Sequence, residues 1–209
     1  DIAQFYCEMA VKSILDQDLH TARHELEMAL DANKNCVRAN VMLGEMEANN
    51  KAHKLAIGFW KRIEFQKPEF LGIVAHKLLN SYRELDQLDE GIALLKQYAQ
   101  TYKLPSLMAV VFDITLAEQG ADIAANMAVS ELERKPSLQT LEQLLKARSL
   151  QANASADNGL IQQTVRYAIG NRTAYCCEQC GFKARNFHWQ CPACNAWEAL
   201  PAEPKETTL

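Results

Sequence analysis

Five cysteines crowd into the nineteen residues from Cys176 to Cys194 of a 209-residue chain, while Cys7 and Cys36 stand alone. Thiolates are soft metal ligands, and their spacing decides whether several can meet at one ion. Cys177, Cys180, Cys191 and Cys194 read C-x2-C-x10-C-x2-C. A two-residue gap lets both sulfurs of a pair reach one ion from a tight turn. Gly181 follows the first pair and can take a positive φ, which turns backbone amides toward sulfur. Pro192 sets the second turn. Four sulfurs on two such knuckles suit a tetrahedral zinc or iron ion. Cys176 competes with Cys177 on paper, but only Cys177 gives the two-residue loop. His188 is a spare nitrogen beside a shell that four cysteines already fill. A closed shell has no position for bound water, which argues against hydrolytic metal catalysis.

A segment of about 30 residues cannot build a sufficient core without such a staple. A structural zinc typically contributes about 10–16 kcal/mol of apparent binding free energy to folds of this kind. Phe182, Phe187, Trp189 and Trp197 are expected to pack around the knuckles. A secreted disulfide scaffold would spread its cysteines along the chain. The clustering therefore points to a reducing compartment, the cytosol or the cytosolic side of a membrane.

The residues before Gly170 must position this unit, and they read as helices. Ala, Leu, Glu, Gln and Lys dominate, and apolar residues recur at helical spacing. Pro68, Pro105 and Pro136 fall between the periodic blocks. Small residues recur at Ala22, Ala56, Gly91 and Ala125, at spacings of 34, 35 and 34. Leu26, Trp60, Leu95 and Val129 follow four residues on, then Ala29, Ile63, Tyr98 and Leu132 seven residues on. Ala10 and Gly44, twelve residues before the first two, are small where two helices must approach closely. Leu79 and Asp113 break that rule. The pattern resembles the tetratricopeptide repeat, two antiparallel helices per 34 residues, in four degenerate copies. One helix pair cannot bury its apolar face alone, so neighbours stack around a continuous core. Beyond Pro136, two helices are expected at Leu138–Leu150 and Gly159–Ile169. A turn is expected at 153–158, and a helix stop at Gly170-Asn171.

Several function classes are excluded by composition and motif. Hydrophobic residues make up 48% and charged residues 23%, a globular balance. The net charge of -4 gives no bulk attraction to nucleic acid or anionic lipid. From Arg172 onward four Lys or Arg face four Glu, so the knuckles have no basic footprint. The longest apolar run, Leu107–Phe112, is far short of the roughly 20 residues a spanning helix needs. No phosphate-binding glycine loop, nucleophile elbow or zinc-protease motif occurs. A repeat-containing glycosyltransferase is disfavoured because no catalytic domain is visible. His20 and His24 share a helix face but have no third ligand. Asp86, Asp89 and Glu90 read as a helix-capping cluster, and Cys7 and Cys36 as small buried residues. The chain opens on Asp1 without a signal peptide and is read as the carboxyl-terminal part of a longer protein.

A repeat array followed by Tyr175-x-Cys177-x-x-Cys180-Gly181-Phe182-x-Ala184-Arg185 and Trp189-x-Cys191-Pro192-x-Cys194-x-x-Trp197 resembles the lipopolysaccharide assembly protein B family. The resemblance implies a mostly α fold, a tetratricopeptide-repeat solenoid ending in a small rubredoxin-like or zinc-ribbon metal knuckle domain. It implies a division into repeats at 1–136, a capping helix pair at 137–171, the metal domain at 172–200 and a flexible tail at 201–209. Metal ligation carries over to Cys177, Cys180, Cys191 and Cys194, with iron the metal usually given for the family. The implied role is a non-enzymatic adaptor regulating lipid A synthesis. It promotes degradation of the committed-step deacetylase by a membrane-bound ATP-dependent protease, on the cytoplasmic side of the bacterial inner membrane. Partners are then that protease, that deacetylase and lipopolysaccharide assembly proteins, with no nucleic acid. The membrane is touched only through an amino-terminal anchor preceding Asp1. The alternative is a rubredoxin-type electron-transfer protein that docks through its repeats. Cys176 as an extra thiol, Asn195 in place of a frequent Gly, and the short loop between pairs depart from electron-transfer rubredoxins. The first helices of the repeats offer Cys7, Val41, His76 and Val110 as inward positions, with Glu45, Asn80 and Ile114 one turn on. The metal unit is expected to dock on the last helices as a brace.

Overall fold

The computed structural model describes residues 2–151 and 157–206. Helices α1 (Ile2–Leu15) and α2 (Leu19–Ala32) form the first antiparallel pair. Then come α3 (Val37–Asn49), α4 (His53–Lys61) and the short α5 (Ile63–Gln66). A 3₁₀ turn at Pro68–Phe70 leads into α6 (Leu71–Glu84) and α7 (Leu88–Tyr102). The pairs α8 (Pro105–Glu118) with α9 (Ala121–Arg134), and α10 (Leu138–Ser149) with α11 (Asn158–Arg172), complete the array. This is the tetratricopeptide-repeat architecture, and its boundaries follow local chemistry. The Asp18 carboxylate accepts from the Thr21 N–H at 3.0 Å, and the Ser137 hydroxyl accepts from the Thr140 N–H at 3.1 Å, each capping a helix start. Pro105 occupies the first turn of α8, where its missing N–H costs nothing. Asp89 and Glu90 lie in the first turn of α7, where negative charge suits the helix dipole; neither caps it by a side chain.

The small-residue positions are the helix crossings. Ala10, Ala22, Ala29, Ala56 and Ala125 are all buried. Gly44 of α3 lies against the indole of Trp60 on α4, and that indole N–H donates to the Val41 carbonyl at 3.2 Å. A Cβ at Gly44 would come within 2.5 Å of Trp60 Cε2. Gly44→Ala is therefore expected to destabilise by about 1–3 kcal/mol through overpacking, although alanine is the better helix former. Gly170→Ala should do the reverse, gaining about 0.5–1 kcal/mol, because nothing lies within 4 Å of its Cβ position. Urea unfolding of the two variants checks both signs. Leu79, where the small-residue rule lapses, is buried, and Asp113 instead pairs with Lys146 at 2.7 Å on the surface.

Gly170-Asn171 does not stop the last helix, which continues to Arg172. Gly170 has no positive φ, so it makes no cap turn, and the helix ends only where strand pairing begins. Strand β1 (Thr173–Cys176) pairs antiparallel with β2 (Lys183–Ala184) on one side and β3 (Lys205–Glu206) on the other. Of the segment expected to be a flexible tail, residues 201–206 are thus held: β3 closes the sheet, and Glu203 accepts hydrogen bonds from Ser106 on α8. Residues 207–209 lie outside the described residues. Of the expected turn, 153–156 lie there too, while Asp157 is a turn residue and Asn158 opens α11. Among the described residues, no helix is long and apolar enough to cross a membrane.

Candidate metal centre

The two knuckles have the same backbone. The Cys177 N–H donates to the Phe182 carbonyl and the Gly181 N–H to the Cys177 carbonyl, at 2.8 and 2.9 Å. The Cys191 N–H donates to the Ala196 carbonyl and the Asn195 N–H to the Cys191 carbonyl, again at 2.8 and 2.9 Å. The residue after each pair sits in the left-handed region, Gly181 at φ 75 and Asn195 at φ 59. Asparagine tolerates that region better than most residues. The departure at Asn195 therefore leaves the turn intact.

These turns bring together the four cysteines read from spacing. The Sγ atoms of Cys177, Cys180, Cys191 and Cys194 all lie within 4.8 Å of one another. Cys177 is 3.8 Å from Cys194, and Cys180 is 3.7 Å from Cys191, so the closest pairs join the two knuckles. A regular tetrahedron with metal–sulfur bonds of about 2.3 Å has edges of about 3.8 Å. The donor set and its dimensions thus fit one tetrahedral ion. Cys176 stays in β1, its Sγ 3.7 Å from the Gly181 carbonyl and outside the cluster. His188, His20 and His24 are exposed and join no such cluster.

Cys180 and Cys191 hold their protons unequally. For Cys180 the Phe182 N–H favours the thiolate. Desolvation and the thiols of Cys194, Cys177 and Cys191 outweigh it and push the group up to about 12. For Cys191 desolvation opposes ionisation. The backbone N–H groups of Cys194 and Ala193, with the neighbouring thiols, outweigh it and pull the group down to about 7. A metal that takes all four as thiolates must displace at least the Cys180 proton at neutral pH, so acid weakens binding. The apparent affinity should fall at least about tenfold per pH unit of acidification below neutrality. Chelator competition across that range checks this.

The unit does not rest on the last helices, as the sequence suggested. It lies across the amino-terminal ends of the first helices of the first four pairs. From α1, the Gln4 Nε2 donates to Glu198 Oε1 at 2.9 Å. On α3, the Arg38 guanidinium stands 5.2 Å over the Trp197 ring. Before α6, Lys67 pairs with Glu198, and Phe70 stacks on Trp189 at 5.6 Å with 6° between the planes. Phe187 meets the edges of Phe70 and Trp189 at 6.1 and 5.0 Å. At α8, Ser106 holds Glu203. The knuckle aromatics thus divide, against expectation. The unit's own core is Cys177, Ala184, Cys191, Ala199 and Leu200 with Tyr175 alongside. Phe187 and Trp189 join the core of the array, Phe187 also meeting Tyr175 of the unit at 5.9 Å, and Phe182 is exposed. The reason is size: a unit with so little interior cannot enclose two large rings, whereas the seam beside Phe70 can. Sequence reasoning missed Gln4, Arg38, Lys67, Phe70, Ser106, Glu198 and Glu203. Their only sequence signal is one aromatic, Phe70, directly after a proline turn.

Of the positions expected to face inward, Cys7, Val41, Val110 and Ile114 are buried. His76 and Asn80 are exposed and line a groove of about 290 Å³ between α6 and α8 with Arg83, Asp113 and Glu118. Glu45 pairs with Lys77.

Residues 175–201 match the family described as rubredoxin metal binding domain. Lipopolysaccharide assembly protein B of Escherichia coli strain K12 is 25% identical over 203 residues, covering 96% of this chain and 52% of that protein. The protein of the same name from Haemophilus influenzae Rd is 24% identical over 203 residues, covering 96% of this chain and 51% of that protein. The chain therefore spans about half the length of these relatives. A solved structure of a thermophilic TPR protein from Thermus thermophilus is 14% identical and covers 79% of this chain and 99% of that one, with a TM-score of 0.41. The likeness to the lipopolysaccharide assembly protein B family thus extends along nearly the whole chain, through the helical array as well as the cysteine knuckles.

Proposed function

We propose that this chain is the metal-braced part of a non-enzymatic adaptor that regulates lipopolysaccharide biosynthesis. In this reading residues 1–136 are four degenerate repeats, 137–171 a capping pair and 172–200 the metal domain. Cys177, Cys180, Cys191 and Cys194 hold one ion, iron by family resemblance, or zinc. The observation that carries the reading is the similarity to lipopolysaccharide assembly protein B over 96% of the chain, joined to a metal unit that spans four helix pairs. A closed four-thiolate shell offers no position for a reacting water, which suits a brace rather than a catalyst. The groove beside His76 and Asn80 stays open on the first-helix side, where a protein partner can lie.

The full-length protein then acts from the cytoplasmic face of the bacterial inner membrane, held by an anchor before this segment. Its partners are a membrane ATP-dependent protease, the deacetylase committed to lipid A, and lipopolysaccharide assembly proteins, and it binds no nucleic acid. The test is the half-life of that deacetylase in the native host. Deleting the full-length gene should lengthen it, the wild-type gene should restore it, and Cys191→Ser should not. An unchanged half-life on deletion overturns the reading. Metal analysis of protein from iron-replete cells decides between iron and zinc.

A further inference from the structure

Cys7 and Cys36 stand alone in the sequence, 29 residues apart, yet the fold brings their sulfurs to 3.8 Å with both side chains fully buried. That separation matches the spacing across the metal cluster, but no third ligand joins this pair among the described residues. The two sulfurs are unequal. Cys36 is the N-cap residue of α3, where unpaired backbone N–H groups favour negative charge. The Gln4 side-chain N–H also points at its sulfur, at 3.8 Å. Hydrogen bonding from Cys7 lowers Cys36 most, with the Ala39 N–H and the Arg38 charge helping against burial. Cys7 is raised in turn, by that same hydrogen bond and by burial. Cys36, at the start of α3 with the Gln4 side-chain N–H on its sulfur, is thus the better placed of the two to attack.

We propose that Cys7 and Cys36 form a reactive thiol pair, which a hydroperoxide closes into a disulfide joining the first helix pair to the second. The Cys36 thiolate attacks one oxygen of hydrogen peroxide; an S–O bond forms, the O–O bond breaks, and the departing hydroxide takes a proton to become water. The Cys7 sulfur then attacks the Cys36 sulfenic acid; an S–S bond forms, the S–O bond breaks and a second water leaves. Two thiols are oxidised and one peroxide is reduced. Peroxide is close to water in size and reaches the pair through local opening. Gln4 links this pair to the metal unit, because the same side-chain nitrogen donates to Glu198.

The test treats the folded, metal-loaded chain with hydrogen peroxide, then blocks free thiols and digests with trypsin. The expected product is an intramolecular link between the peptide ending at Lys12 and the peptide Asn35–Arg38, formed while the metal is retained. In Cys7→Ser, or Cys7→Ala should the serine variant not fold, dimedone should label Cys36. In Cys36→Ser, Cys7 should stay unlabelled. Failure of the link to form in the folded chain, or its formation only in urea or after metal loss, overturns the proposal. Pairing of Cys7 or Cys36 with a metal-cluster cysteine does the same, as does dimedone labelling of Cys7 in preference to Cys36.

Discussion

Cys191→Ser is expected to release the metal and unfold the unit that surrounds it, with effects reaching the first repeat. Cys191 is fully buried, and the unit's interior otherwise holds Cys177, Ala184, Ala199 and Leu200. So few apolar groups cannot by themselves offset the conformational entropy lost when the unit orders. The ion must supply the difference, and a structural zinc contributes about 10–16 kcal/mol in comparable peptides. Once the unit melts, Gln4, Arg38, Phe70 and Ser106 lose their partners together. Hydrogen exchange should then quicken at the amino-terminal ends of α1, α3 and α8, not only in the carboxyl-terminal third. Metal content and limited proteolysis give the primary readout. Loss of metal with unchanged protease resistance across 173–206 would sink the brace. Cys176→Ser is the matched control and should keep its metal, because its sulfur lies outside the cluster.

Phe70→Ala should destabilise both the array and the unit docked on it. Phe70 is 3% exposed and packs into both the array core and the docked unit. Removing a buried phenyl ring costs about 3–5 kcal/mol. Part of that loss belongs to docking, and a double-mutant cycle with Trp189→Ala isolates it. The stacked pair, at 5.6 Å and 6°, should show a coupling of about 0.5–1.5 kcal/mol. Urea unfolding of the metal-loaded single and double variants measures it. Strict additivity would mean that the two rings touch without contributing to docking.

The gathering of the four cysteines was legible because the turns that bring them together are local. Two sulfurs separated by two residues, on a turn with Gly181 or Asn195 at its end, are brought to one point by the turn itself. The helix pairs were legible for a related reason: small residues at a period near 34 mark where backbones cross, and Gly44 against Trp60 is such a crossing. Gly170 misled because glycine signals a helix stop only when it takes a positive φ, and here it does not.

By itself the sequence determined which four sulfurs gather, how each knuckle turns, and that paired helices precede them. All of these are set by residues within a few turns of one another. Only the tertiary structure decided where the metal unit rests, that Phe187 and Trp189 fill the seam between it and the array, and that Cys7 faces Cys36. Those outcomes join groups such as Gln4 and Glu198, 194 positions apart. Their meeting depends on how successive helix pairs stack and on the path of the returning chain, which no local periodicity encodes.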